Sequence, residues 1–198
     1  KSYLNLLEQE DYIKSICFDL LIINEKNNKI IKKQIDNLKI INVYSKKKIS
    51  GMNTIFKEIF NLEKILIKYH YCCFVEDDNF IFPKSLMESK NFLENNKNFI
   101  ACSGKSFIFS LNRDFEYFFL NKYISPNTNS LTNIKDRFKL FNGALCYYSL
   151  FRTNIFLKIT KLINSIHDDN LSEVLFNFMT IKFGKINLLN NIYLARKY

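Results

Sequence analysis

Two rhythms of apolar residues run along the chain. Between residues 52 and 69, Ile55, Phe56, Ile59, Phe60, Leu62 and Leu66 recur mostly at three- and four-residue steps, the spacing of one buried helix face, with Asn53 placed as its N-cap. Residues 18–24, 39–44, 71–75 and 99–104 are short apolar stretches that read as buried strands. Pro83, followed by Ser85, Leu86, Met87 and then Leu93, marks a helix that begins at a proline. Residues 2–8 read as the end of a further helix. Strand and helix thus alternate over the first half, which predicts an α/β fold with a mostly parallel sheet covered by helices.

The second half is less regular. A strand is expected over 107–111, helices over 113–124 and 134–141 around a polar loop at 125–132, and another strand over 143–150. Ile155, Phe156, Ile159 and Leu162 are spaced as a helix, and a last helix over 171–183 carries Leu171, Val174, Leu175 and Phe178 on one face before Gly184 stops it. Short strands at 185–189 and 192–194 close the chain. No repeat, linker or boundary interrupts this order, so residues 1–198 are expected to form a single domain.

Composition narrows the classes. With 47% hydrophobic residues the chain can bury one substantial core, which excludes a disordered segment. The richness in Lys, Asn, Ile and Phe points to an AT-rich coding sequence, so the net charge of +10 carries less than its size suggests. A basic surface of this kind suits nucleic acid, anionic lipid or phosphorylated substrates. Cys17, Cys72, Cys73, Cys102 and Cys146 lie mostly in apolar runs with no C-x-x-C pair, as expected for core residues in a reducing compartment, and no zinc site is readable. Apolar runs such as 20–23 fall far short of the ~20 residues of a membrane-spanning helix. No signal peptide is readable, and a cytoplasmic location is expected. Because the chain starts at Lys1 without Met, an N-terminal portion is expected to be missing.

Chemistry concentrates where the apolar run 71–75 ends in Glu76-Asp77-Asp78-Asn79. Adjacent carboxylates repel unless a cation, a basic cluster or water screens them, and Mg²⁺ takes oxygen ligands of this type. In open α/β sheets ligands bind beyond the carboxyl ends of strands, where these acids would lie. Simple turn chemistry is the alternative. A second acidic stretch, His167-Asp168-Asp169-Asn170, precedes the last helix; Asn170 with Glu173 fits a capping box. His167 is placed either to contact a substrate or to serve no site.

The acidic strand end, the Pro83 helix, the Ser103-Gly104 strand end, the strand around Tyr147 to Thr153 and the late His-Asp-Asp stretch together resemble GT-A fold glycosyltransferases. The match is nearest to bacterial family-2-like enzymes that use nucleotide-diphosphate sugars, and it spans nearly the whole chain. The resemblance implies a Rossmann-like, mostly parallel sheet whose first strand is missing here. It implies that Glu76-Asp77-Asp78 is the DxD motif, that Asp78 with Glu76 holds Mg²⁺ or Mn²⁺, and that Glu76, Asp77 and Asn79 contact the donor nucleotide. Asp168 or Asp169 takes the place of the general base in an inverting transfer. The glutamate in the first position and Asn79, where a further aspartate is frequent, depart from the pattern. The implied partners are a nucleotide-diphosphate sugar and a glycan, lipid-linked or protein acceptor, with peripheral contact at the inner face of the membrane.

Two readings from other classes stand beside this one. A degenerate, non-catalytic relative would retain the fold and act as an interaction partner. A nucleic-acid-binding module would use the net charge, but Lys is scattered and the aromatics lie in apolar runs, without the paired pattern that stacks bases, so no nucleic-acid partner is expected. Arg152, Lys185 and Arg196 are candidate phosphate contacts or plain surface cations.

Overall fold

The computed structural model describes residues 18–25, 40–45, 51–111, 117–123, 133–139 and 146–197. Strands β1 (Leu20–Glu25) and β2 (Ile40–Ser45) pair in parallel, Leu20 opposite Ile40 and Glu25 opposite Ser45. Helices α1 (Met52–Asn61) and α2 (Glu63–Leu66) then lead to β3 (Tyr71–Cys72) and β4 (Asn79–Ile81). Next come α3 (Pro83–Asn95), β5 (Phe99–Leu111), β6 (Tyr117–Tyr123) and α4 (Ile134–Lys139). The chain continues with β7 (Leu150–Arg152), α5 (Thr153–Ile163), α6 (Asp169–Phe183) and β8 (Lys185–Lys197).

The main sheet has the order β3-β7-β5-β8-β4, with β6 beside the far half of β5. Both β3 and β5 run antiparallel to β7, hence in the same direction as each other; β8 is parallel to β5, and β4 and β6 oppose them. The fold is α/β as expected, but the sheet is mixed and mostly antiparallel rather than mostly parallel. Part of the difference lies at 117–123, where a strand, β6, replaces the expected helix. Its sequence, YFFLNKY, is aromatic-rich and favours a pleated surface, and it pairs antiparallel with β5, for which no crossover helix is needed. Of the strand expected over 143–150, residues 143–145 lie outside the described residues, Tyr147 to Ser149 form a turn closed by the Ser149 N–H donating to the Cys146 carbonyl at 3.0 Å, and Leu150 opens β7.

The expected strands 99–104 and 107–111 are one long β5, and 185–189 and 192–194 are one long β8. Their register shifts around Gly104, where a Cβ would lie 2.7 Å from the Asn191 carbonyl oxygen; only a glycine lets the two backbones approach there. Helix α3 starts with Pro83 at its first position and buries Ser85, Ser89 and Leu93. Helix α1 buries Met52, Phe56 and Ile59, an i, i+4, i+7 stripe, but its N-cap is Gly51 and not Asn53. The expected helix end at 2–8, the loop at 125–132 and the missing first strand lie outside the described residues.

Helices cover both faces of the sheet. Adjacent strand residues point to opposite faces, so in β7 Leu150 joins Leu93, Phe99 and Cys102 under α3, while Phe151 joins the larger core under α1, α5 and α6. Phe176 is the centre of that larger core. It stacks on Phe56 with centroids 4.9 Å apart and planes 5° apart, and meets Phe151, Phe156 and Tyr147 edge-on.

Candidate functional site

Only Tyr71 and Cys72 join the sheet in β3; residues 73–75 continue without ladder bonds and the chain turns over Glu76 to Asn79. The turn is closed by the Asn79 N–H donating to the Glu76 carbonyl at 3.2 Å. Inside it, the buried Asn79 amide donates to Glu76 Oε2 at 2.8 Å and to the Tyr148 hydroxyl oxygen at 3.0 Å. The Tyr148 hydroxyl in turn donates to Glu76 Oε2. Glu76 and Asn79 are thereby fixed against each other, and Phe74 stacks on the Tyr148 ring at 6.1 Å to hold the third member. Burial, then the neighbouring Tyr147 and Glu76, push the Tyr148 hydroxyl far above its ordinary pKa, so it stays a donor.

Asp77 and Asp78, at the tip of this turn, are exposed and make no hydrogen bond or ion pair among the described residues. With Glu76, Asn79 and Arg196 they border a cleft of about 1020 Å³ that reaches to Asp19 and Tyr69 beside β1. At that far end the Tyr69 hydroxyl donates to the Asp19 carboxylate, a bond that raises the Tyr69 pKa.

Arg196 stands directly across the β4·β8 ladder from Asn79 and lays its guanidinium over the Tyr148 ring, 5.8 Å from the centroid. Burial works against its charge, but Tyr148, Tyr147, Glu76 and Glu173 together hold its pKa above the usual value. Glu173, on the second turn of α6, is half-buried. Burial raises its carboxyl pKa, Arg196 draws it back, and Glu76 and Asp169 push it up further. Glu76 of the first acidic stretch and Glu173, beyond the second, therefore both act on one guanidinium, an arrangement that depends in part on the β4·β8 register and that no local pattern announces. The adjacent pair Tyr147-Tyr148 just before an apolar strand was the available hint.

Asp168 and Asp169 have helix-terminal partners. Asp168 is the N-cap of α6: its Oδ1 accepts the Leu171 N–H at 2.8 Å, so the capping box expected of Asn170 and Glu173 does not form. Asp169 Oδ1 accepts the Asn53 N–H at 2.8 Å, in the first turn of α1. Exposed His167 lies with Nδ1 3.1 Å from Lys57 Nζ, and its carbonyl accepts from the Asn53 amide. Of the other candidate cations, Arg152 is bonded to the Leu93, Asn96 and Phe99 carbonyls and Lys185 lies over the Phe99 ring. Arg196 alone of the three borders the cleft.

Among the described residues no three His, Cys, Asp or Glu side chains form a metal-holding group. Mg²⁺ does not require such a cage; it is commonly held by one or two carboxylates, with water and substrate phosphates completing its shell. The unengaged Asp77 and Asp78 fit that donor set, whereas Glu76 has one oxygen already committed twice. The cysteines fit core roles: burial pushes Cys72, Cys73 and Cys146 up to about 12, leaving little thiolate. Among the described residues no helix is long and apolar enough to cross a membrane. No family model matches the chain, and no curated protein matches it.

Proposed function

We propose that this chain is a metal-dependent glycosyltransferase of the GT-A kind. It moves a sugar from a nucleotide-diphosphate donor to a glycan, lipid-linked or protein acceptor, with inversion. The observation that carries this reading is the acidic turn, whose unengaged Asp77 and Asp78 stand with Arg196 at the border of a cleft large enough for a nucleotide. The exit of the acids from β3, which runs in the same direction as β5, also supports it.

Asp78, with Asp77, would hold Mg²⁺ or Mn²⁺. When bound, the ion supplies Lewis-acid stabilisation of charge on the departing diphosphate. Glu76 and Asn79, locked by Tyr148, fix the turn so that both aspartates face the cleft. As the acceptor oxygen bonds to the anomeric carbon, the bond from that carbon to the diphosphate oxygen breaks and its electron pair leaves with the diphosphate. The acceptor proton passes to a carboxylate. Glu173, half-buried with a raised carboxyl pKa, suits that task, whereas the carboxylates of Asp168 and Asp169 are each engaged by a backbone N–H. The engagement of Glu76 also favours a second reading, a non-catalytic protein that keeps nucleotide binding; lack of turnover with retained binding would establish it. The first reading places the protein in the cytoplasm, with its basic surface against anionic lipid at the inner face of the membrane.

The test is a thermal-shift screen of UDP and GDP with and without Mn²⁺, repeated on Asp78→Ala. A nucleotide at roughly a hundred times its Kd should raise Tm by about 5–10 °C. That shift should need Mn²⁺ and vanish in the variant. A shift unchanged by Asp78→Ala overturns the assignment of the metal.

A further inference from the structure

Arg196 is unusual among the interior-facing charges of this protein. Its guanidinium lies over the Tyr148 ring, yet among the described residues none of its N–H groups has a hydrogen-bond partner and no carboxylate comes within ion-pair distance. A half-buried guanidinium ordinarily directs its fork of donors at something, as Arg152 does at the carbonyls closing α3. Glu76 and Glu173 lie near enough to sustain its charge without consuming its donors. The group is thus held charged and with its donors unspent at the rim of the cleft that Asp77 and Asp78 also border.

Resting on the glycosyltransferase reading, we propose that Arg196, held over Tyr148, is the cleft's phosphate clasp: it binds diphosphate oxygens in a fork at the rim that Asp77 and Asp78, which would hold the divalent ion, also border. Charge explains the division of labour. Without a divalent ion the surrounding acids repel an anion, so Arg196 alone holds it poorly. A metal–diphosphate complex still carries surplus negative charge, which the guanidinium matches, and its planar fork fits two phosphate oxygens. Tyr148 is a positioning residue, since it touches Glu76, Asn79 and Arg196 and the clasp depends on its ring.

The test titrates Mn²⁺ alone, Mn²⁺ with inorganic pyrophosphate, and Mn²⁺ with UDP or GDP into the wild-type protein, Arg196→Gln and Arg196→Lys, with calorimetry and circular dichroism as the folding check. Loss of charge-assisted bonds predicts roughly ten- to a hundredfold weaker pyrophosphate and nucleotide binding in Arg196→Gln, with Mn²⁺ binding unchanged. Arg196→Lys, which keeps the charge that Glu76 and Glu173 face, should fold like wild type and recover only part of the affinity. Equal pyrophosphate affinity in wild type and Arg196→Lys together with Arg196→Gln overturns the clasp while leaving the glycosyltransferase reading intact. Pyrophosphate binding that depends on Arg196, with no binding of UDP or GDP, keeps the clasp and overturns the nucleotide-sugar reading. No binding of any probe by the wild-type protein overturns both.

Discussion

Asp169, in the first turn of α6, caps the first turn of α1 by accepting the Asn53 N–H at 2.8 Å. Two helix starts far apart in sequence are thereby tied together, and the carboxylate sits where it favours the positive end of α1. The arrangement requires Gly51. Its φ of 76° is costly for other residues, and a Cβ there would collide with the Asp169 carboxylate. Gly51→Ala should therefore lower stability by about 1–3 kcal/mol. Asp169→Asn, which keeps an acceptor oxygen and loses only charge, should cost about 0.3–1 kcal/mol. Urea unfolding with unchanged m-values checks both; an Asn variant worse than the Ala variant at Gly51 would contradict the capping role.

Glu173 supplies a pH signature. Its folded pKa lies above the ordinary 4.5, chiefly through burial. The folded state therefore holds that proton more tightly than the unfolded chain. The resulting stability is fully present below the unfolded pKa and is lost as pH rises through the raised folded value. Glu173→Gln should remove this dependence, so the variant gains on wild type as pH rises from 4 toward neutrality. Tm measured across that range checks the sign. If Glu173 is also the base, the same variant loses turnover but keeps nucleotide binding.

Much of this was readable from residue order where one local feature dominates. The proline start of α3, the buried Phe56 and Ile59 of α1 and the crowding of acids at the end of the 71–75 run all announce themselves, although Met52, also buried, is not on the expected face. Helix α6 does not. The face expected to be buried includes Leu171 and Val174, which are 47% and 42% exposed, while Ser172, Asn177 and Thr180 are buried. Their polarity is satisfied by partners: Thr180 Oγ1 donates to the Phe176 carbonyl one turn back, and Asn177 Oδ1 accepts the Cys146 N–H at 2.7 Å from outside the helix. A pattern of apolar positions cannot show such satisfied polar residues. The same holds for the site. Asp77 and Asp78 stand out as charges, but Tyr148 and Arg196 join them only through sheet register, which is set by long-range pairing.

Phe176 tests the core beneath the site. It is fully buried, stacked on Phe56 and met edge-on by three further rings. Phe176→Ala should leave a cavity and cost about 3–5 kcal/mol, read as a fall in the denaturant midpoint. Phe176→Leu should cost clearly less, since most of the volume remains.

Arg152 tests the opposite face of the sheet. At the end of β7 its guanidinium donates to the Leu93 and Asn96 carbonyls, at 2.6 and 3.2 Å, where they also accept the Asn96 and Phe99 N–H groups, and to the Phe99 carbonyl at 2.8 Å where β5 begins. One side chain thus closes a helix, starts a strand and ties both to β7. Bonds from a charged donor contribute about 1.5–3 kcal/mol, so Arg152→Ala should destabilise the protein by at least that amount. Arg152→Lys should restore little, because a single ammonium lacks the planar fork that reaches these carbonyls together. Hydrogen exchange separates this from a general loss of packing. Amide protection should fall first around residues 93–99, whereas the acidic turn at residues 76–79, held by its own bonds to Tyr148, should keep its protection until global unfolding.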